Sequence, residues 1–146
     1  MSLTARYKTN AEFETNGAKL ELSANEDGSI PTFYIARMGT TNPRYLKTLT
    51  AEMKPFQREI QLNSISEEKA AEIQRNVFAK SILVGWENIL ASDITGDPKA
   101  AGCLDYSVPF AVQLLENLPE LHNVLREFAQ NMDNFLDVNR EEAAKN

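Results

Sequence analysis

The chain is poor in the residues that build covalent links and metal centres. It contains one cysteine, Cys103, and one histidine, His122, among 146 residues. These two side chains cannot supply a disulfide, a structural zinc site or a haem attachment motif. We therefore expect the protein to fold around an apolar core without disulfides, metal or other cofactors, as cytosolic proteins do.

Excess positive charge and long apolar runs are also lacking. The chain has 15 Lys and Arg residues against 21 Asp and Glu residues, which gives a formal net charge of -6 and a pI near 4.9. Such a chain has no broad cationic field for a phosphate backbone, so we expect no nucleic acid partner. No apolar run approaches the roughly 18 residues of a membrane span, and the first residues lack the apolar centre of a signal peptide. We expect neither membrane association nor export.

What remains is typical of a globular protein, with 42% hydrophobic and 25% charged residues. The length favours one domain over residues 1–146. The patterns predict a mainly α member of the α+β class, in which an N-terminal β-hairpin packs on about four to five helices. We expect a hairpin region at 18–38, a helical core at 43–136 and a frayed tail at 137–146.

The hairpin is predicted from two short β-like runs, Lys19–Ser23 and Thr32–Arg37, with Asp27-Gly28 between them. A two-stranded hairpin is marginal in water. Its apolar side must therefore lie on helices or on strands of another subunit. The residues of that side are Leu20, Leu22, Phe33 and Ile35.

Helix signals dominate after residue 42. Asn42 and Pro43 have the character of a capping residue and a first helical residue, and they predict a helix near 43–54 that Pro55 interrupts or kinks. The sequence Ser64-Ile65-Ser66-Glu67 fits a capping box and predicts a second helix over 67–90. The apolar stripe of that helix is Ile73, Val77, Phe78, Ile82, Trp86 and Ile89.

The last third of the chain combines a polar loop with two helix starts. Residues 91–106 contain two glycines and one proline, which predicts a functional or mobile loop. Ser107 and Pro119 are typical helix starts, and the apolar spacing predicts helical structure over 108–136.

Residues with catalytic or ligating chemistry form no recognisable constellation. Cys103 and His122 could make a nucleophile and base pair, but a loop thiol and a surface imidazole are favoured because no orienting motif accompanies them. Asp93, Asp97 and Asp105 fit no calcium loop and are interpreted as a solvated loop. Neither GxxxxGK[ST] nor GxGxxG occurs, which disfavours nucleotide hydrolysis. We expect no catalytic, cofactor-binding or metal-binding residues, and no enzyme activity.

Candidate partner-binding residues are few. Arg37, Arg44 and Lys47 lie on or beside the hairpin and the first helix, where they could steer an acidic partner. Trp86 is the only tryptophan, and its spacing favours a place in the core over a binding platform, although both roles stay open.

From residue 81 onward the order of short motifs becomes more specific. The run Ser81–Ile89 (SILVGWENI) is followed by Gly96-Asp97-Pro98, by Leu104–Ser107 (LDYS), by Leu118–Leu121 (LPEL) and by Asn134-Phe135. This order resembles the tail assembly chaperones of long-tailed, lambda-like bacteriophages over about 65 residues. The loop before Leu104 is longer than the usual family version.

The resemblance implies a non-enzymatic factor in the host cytoplasm that is absent from the mature virion. Members of this family coat the tape measure protein and keep it soluble until the tail tube polymerises around it. The resemblance also implies possible contact with the tail tube protein and self-association, for which the hairpin edge is suited.

Two other classes remain open from the sequence. A structural virion protein of the tail tube or head-tail connection is the alternative, and it would need more strand content and a stable ring. A small enzyme using Cys103 or the acidic loop is the third, and it predicts that Cys103→Ser has a biological effect.

Overall fold

The fold is a small antiparallel sheet surrounded by helices, seen in a computed structural model that describes residues 2–139. The predicted mainly α, α+β class is confirmed. The strands are β1 (Ala18–Glu21), β2 (Thr32–Ile35) and β3 (Leu83–Glu87). The helices are α1 (Leu3–Tyr7), α2 (Ala11–Asn16), α3 (Pro43–Met53), α4 (Gln57–Gln61), α5 (Glu67–Val77), α6 (Ala91–Thr95), α7 (Val108–Asn117) and α8 (Pro119–Gln130).

The predicted hairpin forms, and β1 pairs antiparallel with β2 in the register Ala18 to Ile35. Its apolar side faces the core, where Phe33 and Ile35 are buried and Leu20 and Leu22 pack against them. Strand β3 pairs with the other edge of β2 and places Trp86 opposite Phe33. The hairpin is therefore covered by helices of the core and also by a strand, β3, of the same chain.

The predicted helix over 67–90 is wrong in its second half. Helix α5 ends at Val77, a π-helical turn follows over Phe78–Ile82, and the chain then becomes β3. Phe78, Ile82 and Ile89 are buried as expected, but Trp86 reaches the core from a strand. The free edge of β2 decides the outcome, because a strand there satisfies backbone groups that a continued helix would leave unpaired.

Helix α5 begins at Glu67 as predicted, but its capping residue differs from the first serine of the expected capping box. Ser66, not Ser64, accepts the backbone N–H of Lys69 at 3.1 Å. Asn42 also differs from its predicted role, because it makes no cap bond to α3 and is fully buried. Its side-chain amide instead donates to the carbonyl oxygen of Arg37 at 3.0 Å, which fixes the point where α3 leaves the sheet.

The predicted loop over 91–106 contains the short helix α6 and is anchored to the core. Ala91 and Ile94 of α6 are buried. The side-chain amide of Asn117 donates to the carbonyl oxygen of Asp93 at 2.8 Å, and Leu90 pairs with Cys103 as an antiparallel bridge. The high glycine and proline content marked the turns correctly but concealed this helix.

Ser107 and Pro119 begin helices α7 and α8 as predicted, and Ser107 accepts the backbone N–H of Phe110. The predicted helical stretch does not continue unbroken to 136, because α8 ends at Gln130 and a 3-10 turn follows over Met132–Phe135. The amide of Asn134 donates to the carbonyl oxygen of Phe128, which satisfies an open helix end.

The start of the tail is joined by backbone hydrogen bonds to the segment that connects α1 and α2. The backbone N–H of Asp137 donates to the carbonyl oxygen of Lys8 at 2.8 Å, and that of Asn10 donates to Phe135 at 2.8 Å. Asp137, at the start of the tail that the sequence predicts to fray, thus pairs with the chain segment between α1 and α2. The rest of the predicted tail, 140–146, lies outside the described residues.

Candidate functional site: an outer helical arm

The segment 43–61, which we call the arm, leaves the sheet at Asn42 and lies on the outside of the helical core. It comprises α3, a 3-10 turn over Lys54–Phe56 and α4. Pro55 produces the predicted interruption, because it lacks a backbone N–H for the helical ladder. Helix α3 packs along α5 and the π-helical turn.

Two partly exposed lysines, one on α5 and one on the π-helical turn, form ion pairs with the two carboxylates of the arm. Lys80 forms an ion pair with Glu52. Lys69 lies 3.4 Å from a carboxylate oxygen of Glu59, and its ammonium group lies 5.5 Å from the centre of the Phe56 ring. Both pairs are partly exposed, so they position the arm more than they stabilise the fold.

The arm carries apolar side chains that the core does not cover. No residue of the arm, every one of which the structure describes, is buried. Leu46 is 39% exposed, and Met53 and Ile60 are half-buried. An open groove of about 500 Å³ runs along the arm. Its lining residues are Thr50, Met53, Lys54, Gln57, Ile60 and Gln61.

The arm carries four cations, Arg44, Lys47, Lys54 and Arg58, and Lys54 lines the groove. None of them forms an ion pair with another residue of the described range 2–139. The arm thus has four cations and two anions, and both anions already have partners. In a chain of net charge -6 this is a local cationic surface.

The four predicted partner-binding residues lie in different environments. Arg44 and Lys47 are exposed on α3. Arg37 lies 3.1 Å from a carboxylate oxygen of buried Glu14 and is engaged in the fold. Trp86 is 7% exposed, and its indole N–H donates to the carbonyl oxygen of Leu104 at 2.9 Å. Only Arg44 and Lys47 are therefore presented on the arm.

Buried Glu14 illustrates how the first residues are held. Burial acts to raise the pKa of its carboxyl, but hydrogen bonds with Thr9, Thr41 and Arg37 outweigh this and lower the pKa overall. The carboxylate therefore stays charged and joins α2 to the segment after β2.

The imidazole of His122 is buried, not on the surface as predicted. It is 7% exposed and packs edge-on against Phe78, with ring centres 4.9 Å apart. Its Nε2 has no hydrogen-bond partner among the described residues. Burial, with smaller effects of Arg126 and Arg75, lowers the pKa of His122 to about 4. The ring is neutral at pH 7.

The other residues singled out in the sequence do not assemble into a reactive site. Cys103 is an exposed free thiol on the loop before α7, whereas His122 lies inside α8. Within residues 2–139 no three His, Cys, Asp or Glu side chains gather in a group suited to a metal ion, the three loop aspartates included. Over the same range, no helix is both long and apolar enough to cross a membrane.

The groove is the feature that sequence reasoning missed. Tyr45, Leu46, Leu49 and Met53 have the helical spacing of the predicted helix near 43–54, but spacing alone does not show that part of this stripe stays uncovered. The available signal was Ile60, which continues the apolar spacing beyond the proline.

Comparison with protein families places the chain. The model of the YdaY prophage protein family matches residues 40–146, which is well over half of the chain. The chain belongs to this family. It is therefore phage-derived, and the match includes the whole arm but not the hairpin. Comparison with curated proteins and with solved structures gives no match.

Proposed function

We propose that this prophage protein is a non-enzymatic tail assembly chaperone that binds the tape measure protein and keeps it soluble until the tail tube polymerises. The observation that carries the proposal is the arm, with its uncovered apolar groove and unpaired cations. An exposed apolar surface with a polar rim is typical of a protein interaction site.

The physical requirement of a chaperone matches this surface. A long helical client exposes apolar stripes before assembly, and a groove of similar apolar character covers such a stripe through helix-in-groove contacts. Met53 suits this task, because the flexible thioether side chain adapts to clients of different shape. The motif order from Ser81 to Phe135, which resembles tail assembly chaperones, supports the same function.

The proposal includes a location and a set of partners. We place the protein in the host cytoplasm and not in the mature virion, with the tape measure protein as its main partner. The same proposal includes contact with the tail tube protein and self-association. It includes neither nucleic acid nor membranes as partners.

The test is deletion of this gene from an inducible prophage, followed by electron microscopy and mass spectrometry of the released particles. The proposal predicts heads without tails in the deletion strain, restored by the gene in trans, and no copies of this protein in purified wild-type virions. Stoichiometric copies in the virion would support a structural virion protein instead. Normal tails in the deletion strain would contradict both.

A further inference from the structure

We infer that the arm binds one acidic amphipathic helix of the tape measure protein. The apolar side chains of that helix contact Met53 and Ile60, and its carboxylates lie beside Lys54 and Arg58. The inference rests on the proposed chaperone function, and it adds the chemistry of the bound segment.

The apolar part of the arm has the spacing of a helix-binding seam. Positions 46, 50, 53, 57 and 60 follow one another at intervals of four and three residues. Four of these five positions line the groove, namely Thr50, Met53, Gln57 and Ile60, and the fifth, Leu46, is exposed. Within α3 and within α4 such intervals align side chains along one side of the helix. Across the 3-10 turn between them, the shared groove shows that Met53, Gln57 and Ile60 lie on the same side of the arm, where a second helix packs along them.

The arm also carries four exposed cations, of which Lys54 lines the groove. Positions 44, 47, 54 and 58 have helical spacing, with intervals of three, seven and four residues. In paired helices, charged residues that flank an apolar seam select a partner of opposite charge. Because Glu52 and Glu59 are already paired with lysines of the core, the flank offers positive charge to an incoming helix.

A second copy of this chain does not fit the seam. The apolar faces of α5, α7 and α8 are already used in the core, through Ile73, Leu114 and Leu125 among others. The arm of another copy does expose an apolar face, but arm-to-arm pairing would place two cationic flanks together, and like charges across an interface oppose binding. A foreign helix with Asp or Glu beside its apolar stripe satisfies both parts of the surface.

The first experiment identifies what the groove contacts. A photo-crosslinking amino acid replaces Gln57 in the full chain, which is co-expressed with the tape measure protein of the same prophage, and crosslinked peptides are mapped by mass spectrometry. We expect crosslinks to a segment with apolar residues at intervals of three and four and Asp or Glu beside them. Crosslinks to a second copy of this chain, or to a segment without acidic residues, would overturn the inference.

The second experiment measures the charge dependence. The crosslinked segment is fused to a soluble carrier and titrated with wild type and with the Lys54→Glu, Arg58→Glu double variant, which we expect to bind about tenfold more weakly. The control is the Arg6→Glu, Lys99→Glu double variant, which makes the same change in net charge at exposed positions outside the arm. Equal affinity of the arm variant and this control would overturn the inference.

The outcomes separate the inference from the function on which it rests. If the tape measure protein does not co-purify with wild type after co-expression, the proposed function is wrong. If the tape measure protein co-purifies equally with wild type and with the arm variant, the function stands and only the docking inference fails.

Discussion

The hydroxyl of Tyr106 lies 2.6 Å from the carbonyl oxygen of Leu83, at the point where the π-helical turn becomes strand β3. The same hydroxyl lies 2.9 Å from the carbonyl oxygen of Ala79. Burial raises the pKa of Tyr106, so the hydroxyl remains a donor at all ordinary pH values. A carbonyl freed where a helix ends thus finds its donor on the loop before α7.

We predict that Tyr106→Phe lowers the free energy of unfolding by about 1 to 3 kcal/mol, because it removes the one O–H donor that two carbonyl groups share at a partly buried helix end. Urea unfolding followed by circular dichroism measures the change. Tyr7→Phe is the matched control, since Tyr7 is 59% exposed on α1 and its substitution should change stability little. An equal effect of the two substitutions would show that the Tyr106 hydroxyl does not support the turn.

A second prediction concerns the pH dependence of stability. The folded-state pKa of His122 is about 4, below its usual value of 6.5, so the unfolded chain binds more protons between these pH values. Stability is therefore full above pH 6.5 and falls as the pH is lowered toward 4, by about 2 kcal/mol between pH 7.5 and pH 5.

Urea unfolding at both pH values, compared with His122→Phe, isolates this contribution, because the carboxylates titrate in both proteins. The variant keeps an aromatic ring against Phe78 but has no proton to gain. We expect its stability to fall less over this range. The same fall in both proteins would contradict a buried neutral imidazole.

A third prediction separates structure from partner binding at Arg37. Removal of its guanidinium by Arg37→Met leaves the buried carboxylate of Glu14 without its cation, and we expect a loss of about 3 kcal/mol. The double variant with Glu14→Gln should recover part of this loss, because the uncompensated charge is removed. Wild-type stability of Arg37→Met would mean that this ion pair is dispensable and would leave Arg37 free for a partner.

The sequence predicts elements whose signals are local. The hairpin around Asp27-Gly28, the helix start at Ser107 and the interruption at Pro55 are all correct, because turn residues, caps and proline act on their own neighbourhood. The stripe through Phe78 and Ile82 also identified core residues correctly.

Predictions failed where distant pairing decides the conformation. Residues 83–87 have helical apolar spacing, but the free edge of β2 converts them to a strand, which no local pattern reveals. His122 becomes buried because α8 packs over Phe78, a contact between residues far apart in the chain. The groove was missed for a similar reason, since exposure of an apolar stripe depends on what the rest of the fold leaves uncovered.

The most direct test of the account is the solubility of the tape measure protein when it is co-expressed with this protein. We predict that it stays in the supernatant and co-purifies with wild type, and that it sediments when this protein is absent or carries Lys54→Glu and Arg58→Glu. A tape measure protein that sediments equally in the presence and absence of wild type would contradict the chaperone function.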